Sequence, residues 1–574
     1  MSQPSPSPVN RAYILTLILL AAIFLTSLFK HISYPLLWND EAETVSFGQS
    51  IIHHGYPKIH DGKNVIYPLL NQNLSLGEDK KTDAFIGSGW GGFYFSTIGI
   101  ALASFTDDLY AKTALLRIPF ALLGTFAIAL FACIGCHSFR KHHDRALFLL
   151  GFFSFEMLSV SLVLHLREVR YYSPVFFLSA SLLYLYVRYR ISATVRFRTF
   201  GILSVILLFL LFNTFIPAYI ALVLLFIADS FWSAFRSVTA HSAQLPSSDR
   251  TVSRLLVPEG KFLLIPLISL ATICPVAWFF KTAEISRAIT GQLGFTTARY
   301  FAHLKEITTT LGTYEFFYLA LFAKCFLLLC RVLTKNCSET DENKYGIRIS
   351  NLLGLYAILY MLAVSRLPFS SLYERYFIIL QPVLAVSILL DAMTTFKLLA
   401  AVTCQRRKRI LQFCLVAPCI CLFGYTMANK LPSLKGHCYE LAHPYYGPLD
   451  FAIVYIKKNF PDTERLVIAT NYEENAYMYY LGSKVTIGYV GKNLFQDMLV
   501  QPDIIIYRSQ WSNFLPVFRK FLLQGDYETV PFPVADLRVN NIPELRTSHG
   551  TTHHYKTEEA NSFQLPLILF VKRH

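Results

Sequence analysis

A series of long apolar segments constrains the fold of this chain more than any other feature of its sequence. Segments 13–29, 118–134, 262–280 and 411–427 approach the roughly 20 residues that a helix needs to cross the hydrocarbon core of a bilayer. Apolar residues make up 54% of the 574 residues and charged residues only 16%, too little charge for the surface of a water-soluble protein of this length. The sequence predicts a polytopic α-helical membrane protein with about eleven to thirteen transmembrane helices.

The net charge of +15 comes mainly from lysines and arginines that lie in short clusters between the apolar segments. This placement is typical of the cytoplasmic loops of membrane proteins and does not indicate binding to nucleic acid. The clusters occupy residues 140–145, 188–198, 236–261, 331–348 and 397–409. Placing all five in the cytoplasm puts the N-terminus inside, and it puts the first long loop and the C-terminal region outside.

Two regions of the chain differ in composition. Residues 1–430 are predicted to form a transmembrane module with a long first extracytoplasmic loop, residues 31–92. Residues 431–574 are predicted to form a small soluble extracytoplasmic α/β domain, with strands at 465–470, 483–490, 504–507 and 566–571 and helices at 449–460 and 472–481. This domain has no glycine-rich phosphate-binding loop, and we expect it to be structural or to face the acceptor of a reaction.

Three carboxylates, Asp40, Glu41 and Glu43, follow the first apolar segment closely, in the sequence Leu-Leu-Trp-Asn-Asp-Glu-Ala-Glu. One interpretation is a helix start, with Asp40 as the N-cap and the two glutamates in the first turn, where negative charge offsets the helix dipole. The other is a binding or catalytic site, because the same segment continues into a long loop that contains His53 and a His-Gly-Tyr-Pro sequence.

Residues 36–57 resemble the first extracytoplasmic loop of GT-C superfamily glycosyltransferases. The most similar members are the aminoarabinose transferases of lipid A and the dolichyl-phosphate-mannose protein mannosyltransferases of families 39 and 83. Residues 92–120, which contain Arg117-Ile118-Pro119, agree with the resemblance, as do residues 166–172 and 374–382. The resemblance implies a GT-C-like fold in which the acidic motif supplies the catalytic carboxylate, here Asp40 with Glu41 beside it.

The implied reaction moves a sugar, with inversion, from polyprenyl phosphate to an extracytoplasmic lipid, glycan or protein. Phosphate is already a good leaving group, so such an enzyme needs no nucleotide site. It needs a base for the acceptor, which Asp40 can supply, and cations that stabilise the departing phosphate. The candidate phosphate ligands are Arg167, Arg170 and Arg375, because guanidinium groups match the geometry of phosphate oxygens.

The same arginines have a second interpretation, in which they form internal ion pairs with Glu168 or Glu374 or extend toward the membrane interface. Further candidates for contacts with donor or acceptor are Glu43, His53, Tyr171, Glu374 and Tyr376.

The chain also departs from the lipid A transferases. Those enzymes have a phosphate-binding lysine in a Glu-Lys-Pro motif late in the first loop, whereas this chain has Lys80 and Lys81 outside any such motif. The arginines would then hold the phosphate, or the donor is different. No cofactor is predicted: a divalent metal would be compatible with this chemistry, but no pattern of ligands supports one, and His549, His553 and His554 are interpreted as a solvated loop.

Two other classes of protein compete with a glycosyltransferase. A transporter or flippase for a lipid-linked or anionic substrate could also use arginines and glutamates within the membrane, although the long first loop and the absence of a recognisable repeat disfavour it. A non-catalytic scaffold is disfavoured by the carboxylate cluster. The expected location is a bacterial inner membrane, with the site and the C-terminal domain facing outward.

Overall fold

The structure is a computed structural model of the chain. It describes residues 8–66, 78–79, 81–242, 249–292, 296–333, 341–369, 371–400, 405–486, 500–509, 515–537, 541–545 and 553–573. The chain divides into two compact units. We call residues 1–27, 123–163 and 175–432 the helical unit, and residues 28–122, 164–174 and 433–574 the mixed unit.

Most of the described chain is helical. The elements up to the middle of the chain are α1 (Pro8–Phe29), α2 (Asn39–His54), β1 (Glu78–Asp79), β2 (Ala84–Phe85), α3 (Gly91–Ala103), α4 (Leu109–Cys136), α5 (His142–Leu158), α6 (Val160–Leu166), α7 (Tyr172–Tyr186), α8 (Phe197–Phe212), α9 (Ile216–Ser242) and α10 (Asp249–Phe279). The next helices are α11 (Thr282–Gln292), α12 (Thr297–Tyr314), α13 (Phe317–Leu333), α14 (Asp341–Val364), α15 (Leu380–Ala400) and α16 (Gln405–Ala442). The C-terminal elements are α17 (Pro448–Asn459), β3 (Val467–Thr470), α18 (Glu474–Leu481), β4 (Lys484–Thr486), β5 (Ile504–Ile506), α19 (Leu515–Gln524), β6 (Tyr527–Ala535) and β7 (Pro566–Lys572).

Within the described residues, six helices are long and apolar enough to cross a membrane, namely α4, α9, α10, α14, α15 and α16. The number rises to eight if each of two bent pairs, α5 with α6 and α12 with α13, forms one span. Shorter apolar helices cover Tyr13–Phe29, Gly91–Ala103 and Phe197–Phe212. The prediction of a helical protein with several helices of transmembrane length is therefore confirmed, while the count of eleven to thirteen and the orientation remain predictions.

Large apolar side chains lie exposed on these helices. Leu267, Trp278, Phe413 and Ile420 are each more than half exposed. In water, such surfaces would lose the stabilisation that apolar burial supplies, whereas in a bilayer the lipid tails cover them.

Polar side chains link the two bends of the helical unit. The α5–α6 pair bends by 80° and the α12–α13 pair by 88°. The hydroxyl of Ser159, between α5 and α6, donates to Glu315 Oε2, between α12 and α13, at 3.0 Å. Lys430 of α16 donates to the same oxygen at 2.9 Å and to the carbonyl of Tyr314 at 2.7 Å. These contacts satisfy charged and backbone groups that a break in a buried helix leaves without partners.

The mixed unit contains a five-stranded sheet in the order β4-β3-β5-β7-β6. Strands β4, β3 and β5 are parallel, and β7 is antiparallel to both β5 and β6. The four predicted strands correspond to β3, β4, β5 and β7, although residues 487–490 of the second prediction lie outside the described residues. Strand β6 was not predicted because Pro531 and Pro533 interrupt its sequence, and proline is tolerated in an edge strand, where one row of N–H groups needs no partner.

The first loop and the C-terminal segment share one apolar core within the mixed unit. Leu36, just before α2, and Val45, within α2, are both fully buried. They belong to the same apolar cluster as Ile453 of α17, Tyr477 of α18 and Ile504 of β5. Each fully buried side chain of this size contributes about 1.5 to 3 kcal/mol of hydrophobic stabilisation. Packing against the C-terminal segment therefore fixes the helix that carries the acidic motif.

Candidate functional site

Helix α2 presents its two adjacent carboxylates in different directions. Asp40 and Glu41 are consecutive, so their side chains leave the helix about 100° apart. The side chain of Glu41 is 0% exposed, and that of Asp40 is 25% exposed. The interpretation of Asp40 as the N-cap is wrong, because the helix begins at Asn39 and its N-cap is Trp38. Asp40 lies inside the first turn, where the helix dipole stabilises its negative charge.

Both oxygens of Glu41 are occupied by protein donors. Arg117 donates from Nε to Oε1 at 2.9 Å and from Nη2 to Oε2 at 2.5 Å, and the backbone N–H of Val169 donates to Oε1 at 3.0 Å. Arg117 also donates to the carbonyls of Ile32 and Pro35 at 3.0 and 2.8 Å. This buried, bidentate ion pair joins three segments of the mixed unit, a role in maintaining the fold.

Asp40 and Arg170 lie together in the mixed unit. The Asp40 carboxylate is 3.5 Å from Arg170 Nη2. Arg170 Nη1 donates to the backbone carbonyl of Asp40 at 2.9 Å and to the hydroxyl of Thr44 at 3.1 Å. Arg170 also lies 5.7 Å from the ring centre of Tyr171, the next residue. The guanidinium therefore orients the start of α2 and the Asp40 side chain together.

Arg167 takes part in an internal ion pair, in line with the second interpretation of the arginines. Its partner is Glu440, whereas Glu168 or Glu374 was expected. Arg167 Nη2 is 3.5 Å from Glu440 Oε1, and Arg167 Nη1 donates to the carbonyl of Lys30 at 3.3 Å. Glu440 also contacts His437 at 3.3 Å and His553 at 3.0 Å through its other oxygen. His553 is buried, so its interpretation as part of a solvated loop is wrong, while His549 lies outside the described residues.

Glu168, the partner expected for an arginine, accepts a hydrogen bond from Trp38 Nε1 at 2.6 Å. Next to this contact is a cavity of about 30 Å³, lined in part by Tyr34, Trp38, Glu41, Arg117, Arg167 and Glu168. That volume holds about one water molecule, so this cavity cannot accept a sugar.

Asp40 acts electrostatically on two further carboxyls, those of Glu43 and Glu474. Glu43 is on the next turn of α2, and Glu474 is the first residue of α18. Burial, together with the charges of Asp40 and Glu474, raises the pKa of Glu43 to about 8, against the opposing effect of Arg170. Burial likewise raises the pKa of Glu474 to about 7, to which Glu473 and Asp40 contribute.

Sequence reasoning missed Glu474, although a signal was present. The sequence Asn-Tyr-Glu-Glu-Asn directly follows β3, a parallel strand, and binding residues of α/β folds concentrate at the carboxyl ends of parallel strands.

The remaining candidate site residues of the mixed unit lie at different distances from Asp40. Tyr171 lies next to Arg170 and against α3, where a Cβ atom at Gly92 would meet its Cβ at 3.3 Å. His53 is exposed in the last turn of α2, about 20 Å along the helix from Asp40. Lys81 is exposed between β1 and β2, and Lys80 lies outside the described residues. His53 and Lys81 therefore do not join the cluster around Asp40.

Glu374, Arg375 and Tyr376 form a short 3-10 helix in the helical unit. Glu374 accepts from the hydroxyl of Ser161 at 3.0 Å. The Arg375 guanidinium lies 4.2 Å from the ring centre of Tyr373 and 5.6 Å from that of Tyr376. Aromatic rings that contact a guanidinium can hold it in place while its N–H groups bind an anion.

Among the residues that the structure describes, no group of three or more histidine, cysteine, aspartate or glutamate side chains could hold a metal ion. Compared with known proteins, the chain matches no protein-family model and no curated protein sequence. The resemblance to GT-C glycosyltransferases therefore stays a prediction that depends on the motifs quoted above.

Proposed function

We propose that the chain is a membrane glycosyltransferase that moves a sugar from a polyprenyl-phosphate donor to an acceptor outside the cytoplasm. One observation carries the proposal, namely the contrast within the acidic motif. Glu41 is fully buried with both oxygens occupied by donors, whereas Asp40 keeps 25% of its side chain exposed beside Arg170. An accessible, oriented carboxylate is what a general base requires.

In the proposed reaction, Asp40 accepts the proton of the acceptor hydroxyl or amine. The oxygen or nitrogen of the acceptor forms a bond with C1 of the sugar. The bond between C1 and the phosphate oxygen breaks, and its electron pair leaves with the phosphate. The base and the leaving group lie on opposite sides of C1, so the transfer inverts its configuration.

This arrangement separates the roles of the arginines. Arg170 contacts Asp40 directly and is suited to orient that carboxylate. Arg375 of the helical unit, whose guanidinium lies against two tyrosine rings, is a separate candidate for a phosphate ligand. Arg167 is less suited to bind a ligand because it already contacts Glu440 and a backbone carbonyl.

The finer parts of the proposal are a bacterial inner membrane as the location and an extracytoplasmic position for the site. The position of the site outside the cytoplasm rests on the distribution of basic clusters along the sequence. The donor reaches the site from the bilayer, and the acceptor is a lipid, glycan or protein.

A transporter or flippase is the second candidate, and specific contacts favour it. The helical unit contains charged pairs among apolar helices, such as Lys324 with Asp391 at 2.9 Å and Lys430 with Glu315 at 2.9 Å. Charges within membrane helices often line a path for substrate or ions.

The test compares cells that lack the chain with cells that produce the wild-type protein, Asp40→Asn or Asp107→Asn. Asp107 is fully exposed in the mixed unit, so its substitution is a matched control. Mass spectrometry of lipids, glycans and envelope proteins should find a sugar-bearing product that needs the chain. That product should fall by a factor of roughly 10² to 10⁴ in Asp40→Asn and stay unchanged in the control.

An unchanged amount of product in Asp40→Asn would remove Asp40 as the base. A lipid-linked substrate that changes membrane leaflet, with no new glycosidic product in any strain, would support the transporter instead.

A further inference from the structure

The start of α18 is fixed against the start of α2 within the mixed unit. The backbone N–H of Asn475 donates to Asn39 Oδ1 at 3.3 Å, and its side-chain amide lies 3.5 Å from the same oxygen. The backbone N–H of Leu37 donates to the hydroxyl of Tyr480 at 3.1 Å. The C-terminal segment therefore contacts the residues on either side of Trp38, immediately before Asp40.

The backbone just before Glu474 is held in an unusual conformation. Glu473 has a φ of 66°, in the left-handed region that non-glycine residues rarely adopt. Its carboxylate contacts Arg508, which is fully buried and also donates to Asp536 at 2.5 Å. Strained backbone of this kind persists where the surrounding contacts fix it, and it often lies at functional sites.

Glu474 itself is 96% buried, with a relative exposure of 4%. Its side chain accepts a hydrogen bond from Asn39, and its Oε2 has no hydrogen-bond partner among the described residues. A buried carboxylate oxygen without a donor disfavours the ionised form, so a proton on Glu474 is the less costly state. The Nε of Arg170 is also buried without a hydrogen-bond partner in the described part of the chain.

We propose that Glu474 is a positioning residue of the Asp40 site, whose buried carboxyl holds a proton near Asp40 and titrates together with Glu43. Asp40 and Glu474 both raise the pKa of Glu43, and Asp40 also raises that of Glu474. Carboxyls that interact in this way repel one another when ionised, so the titrations of Glu43 and Glu474 are coupled. The two buried carboxyls, Glu43 and Glu474, therefore take up protons near neutral pH. The C-terminal segment would thereby set the charge of the site, an inference that rests on Asp40 being the proposed base.

The charges around Glu474 come from several elements. Helix α18 packs against α2, α17 and β4. Helix α2 contributes Asp40 and Glu43, and Glu473 precedes α18. The charged residues of the other two elements are Asp450, Lys457 and Lys458 of α17 and Lys484 of β4. Asp450 accepts from the backbone N–H groups of Leu36 and Gly447, and both lysines of α17 are exposed.

The test measures protonated carboxyls directly and needs no substrate. The full chain in lipid nanodiscs is titrated between about pH 5 and pH 9, and infrared difference spectra follow the C=O stretch of carboxylic acids. Glu474→Gln should lose one group that titrates near neutral pH. Glu43 should then titrate at lower pH, because the charge of Glu474 raises its pKa in the wild type.

Two variants complete the design. Glu474→Asp keeps a carboxyl and should keep the titration, and Glu528→Gln removes an exposed carboxyl of β6 as a control. A Glu474→Gln curve identical to that of the wild type overturns the proposal, whether or not the chain transfers a sugar. Where turnover is measured, its dependence on pH should change in Glu474→Gln, whereas a purely structural role would lower turnover by one factor at every pH.

Discussion

At the residue scale, Arg117 and Glu41 show how a motif residue can serve the fold. Their ion pair is almost completely buried, so removal of one partner leaves an uncompensated charge. We expect Arg117→Ala to lower the free energy of unfolding by about 3 to 5 kcal/mol. Thermal unfolding of the purified protein in detergent measures the change. Arg465→Ala, the control, removes a largely exposed ion pair with Asp462 and should leave the unfolding temperature unchanged. Equal shifts of the unfolding temperature in the two variants would contradict a structural role for the Arg117–Glu41 pair.

Arg170 and Arg375 have different expected effects on kinetics. Arg375→Lys keeps the charge but loses the planar fork, so the affinity for the donor should weaken by about 1 to 3 kcal/mol. Arg170→Lys should lower turnover more than donor affinity, because Arg170 contacts Asp40. Initial rates at varied donor concentration separate the two effects. The same loss of donor affinity in Arg170→Lys and Arg375→Lys would contradict a separate role for Arg170.

Glu43 gives a prediction about pH and stability. Burial raises its pKa from 4.5 to about 8, so the folded protein binds this proton more tightly than the unfolded chain does. The stabilisation from Glu43 is complete below pH 4.5 and is lost as the pH rises toward 8. Glu43→Gln should therefore lose less stability than the wild type between about pH 5 and pH 8, measured as the shift in Tm. Parallel losses in both proteins would contradict the raised pKa.

At the element scale, glycine decides how closely α3 and α4 approach. A Cβ atom at Gly99 would lie 2.9 Å from the backbone Cα and carbonyl oxygen of Leu116, which cannot move aside as a side chain can. We expect Gly99→Ala to lower the melting temperature, because α3 and α4 must separate. Gly354→Ala is a matched control, since open space surrounds that position in α14 and alanine favours a helix by up to about 1 kcal/mol. An unchanged melting temperature in Gly99→Ala would show that α3 and α4 do not pack closely.

At the scale of the whole molecule, the shared core of the mixed unit predicts membrane topology. Side chains of the first loop and of the C-terminal segment are buried in one cluster, so both must lie on one side of any membrane. In a cysteine-free background, Asp107→Cys and Glu528→Cys should react with a membrane-impermeant maleimide from the same side. Arg409→Cys, in a basic cluster, should react from the other side. Labelling of positions 107 and 528 from opposite sides would contradict the shared core.

Structural features that depend on neighbouring residues could be predicted from the sequence. Segment 118–134 is a continuous apolar run and segment 449–460 is amphipathic, and both form helices, because helix length and apolar periodicity are local properties. A helix start was one of the two interpretations of the acidic motif, and α2 does begin there, with Asp40 and Glu41 in its first turn at the positive end of the helix dipole.

Only the tertiary structure decided which of these carboxylates is accessible and which residues surround it. Asp40 and Glu41 are adjacent and chemically alike, but Arg117, distant in the sequence, occupies both oxygens of Glu41 and leaves Asp40 partly exposed. Glu474 reaches the same site because α18 and α2 bury their apolar faces in one core. Burial and the choice of ion-pair partner follow from packing between distant segments, and local sequence contains no measure of that packing.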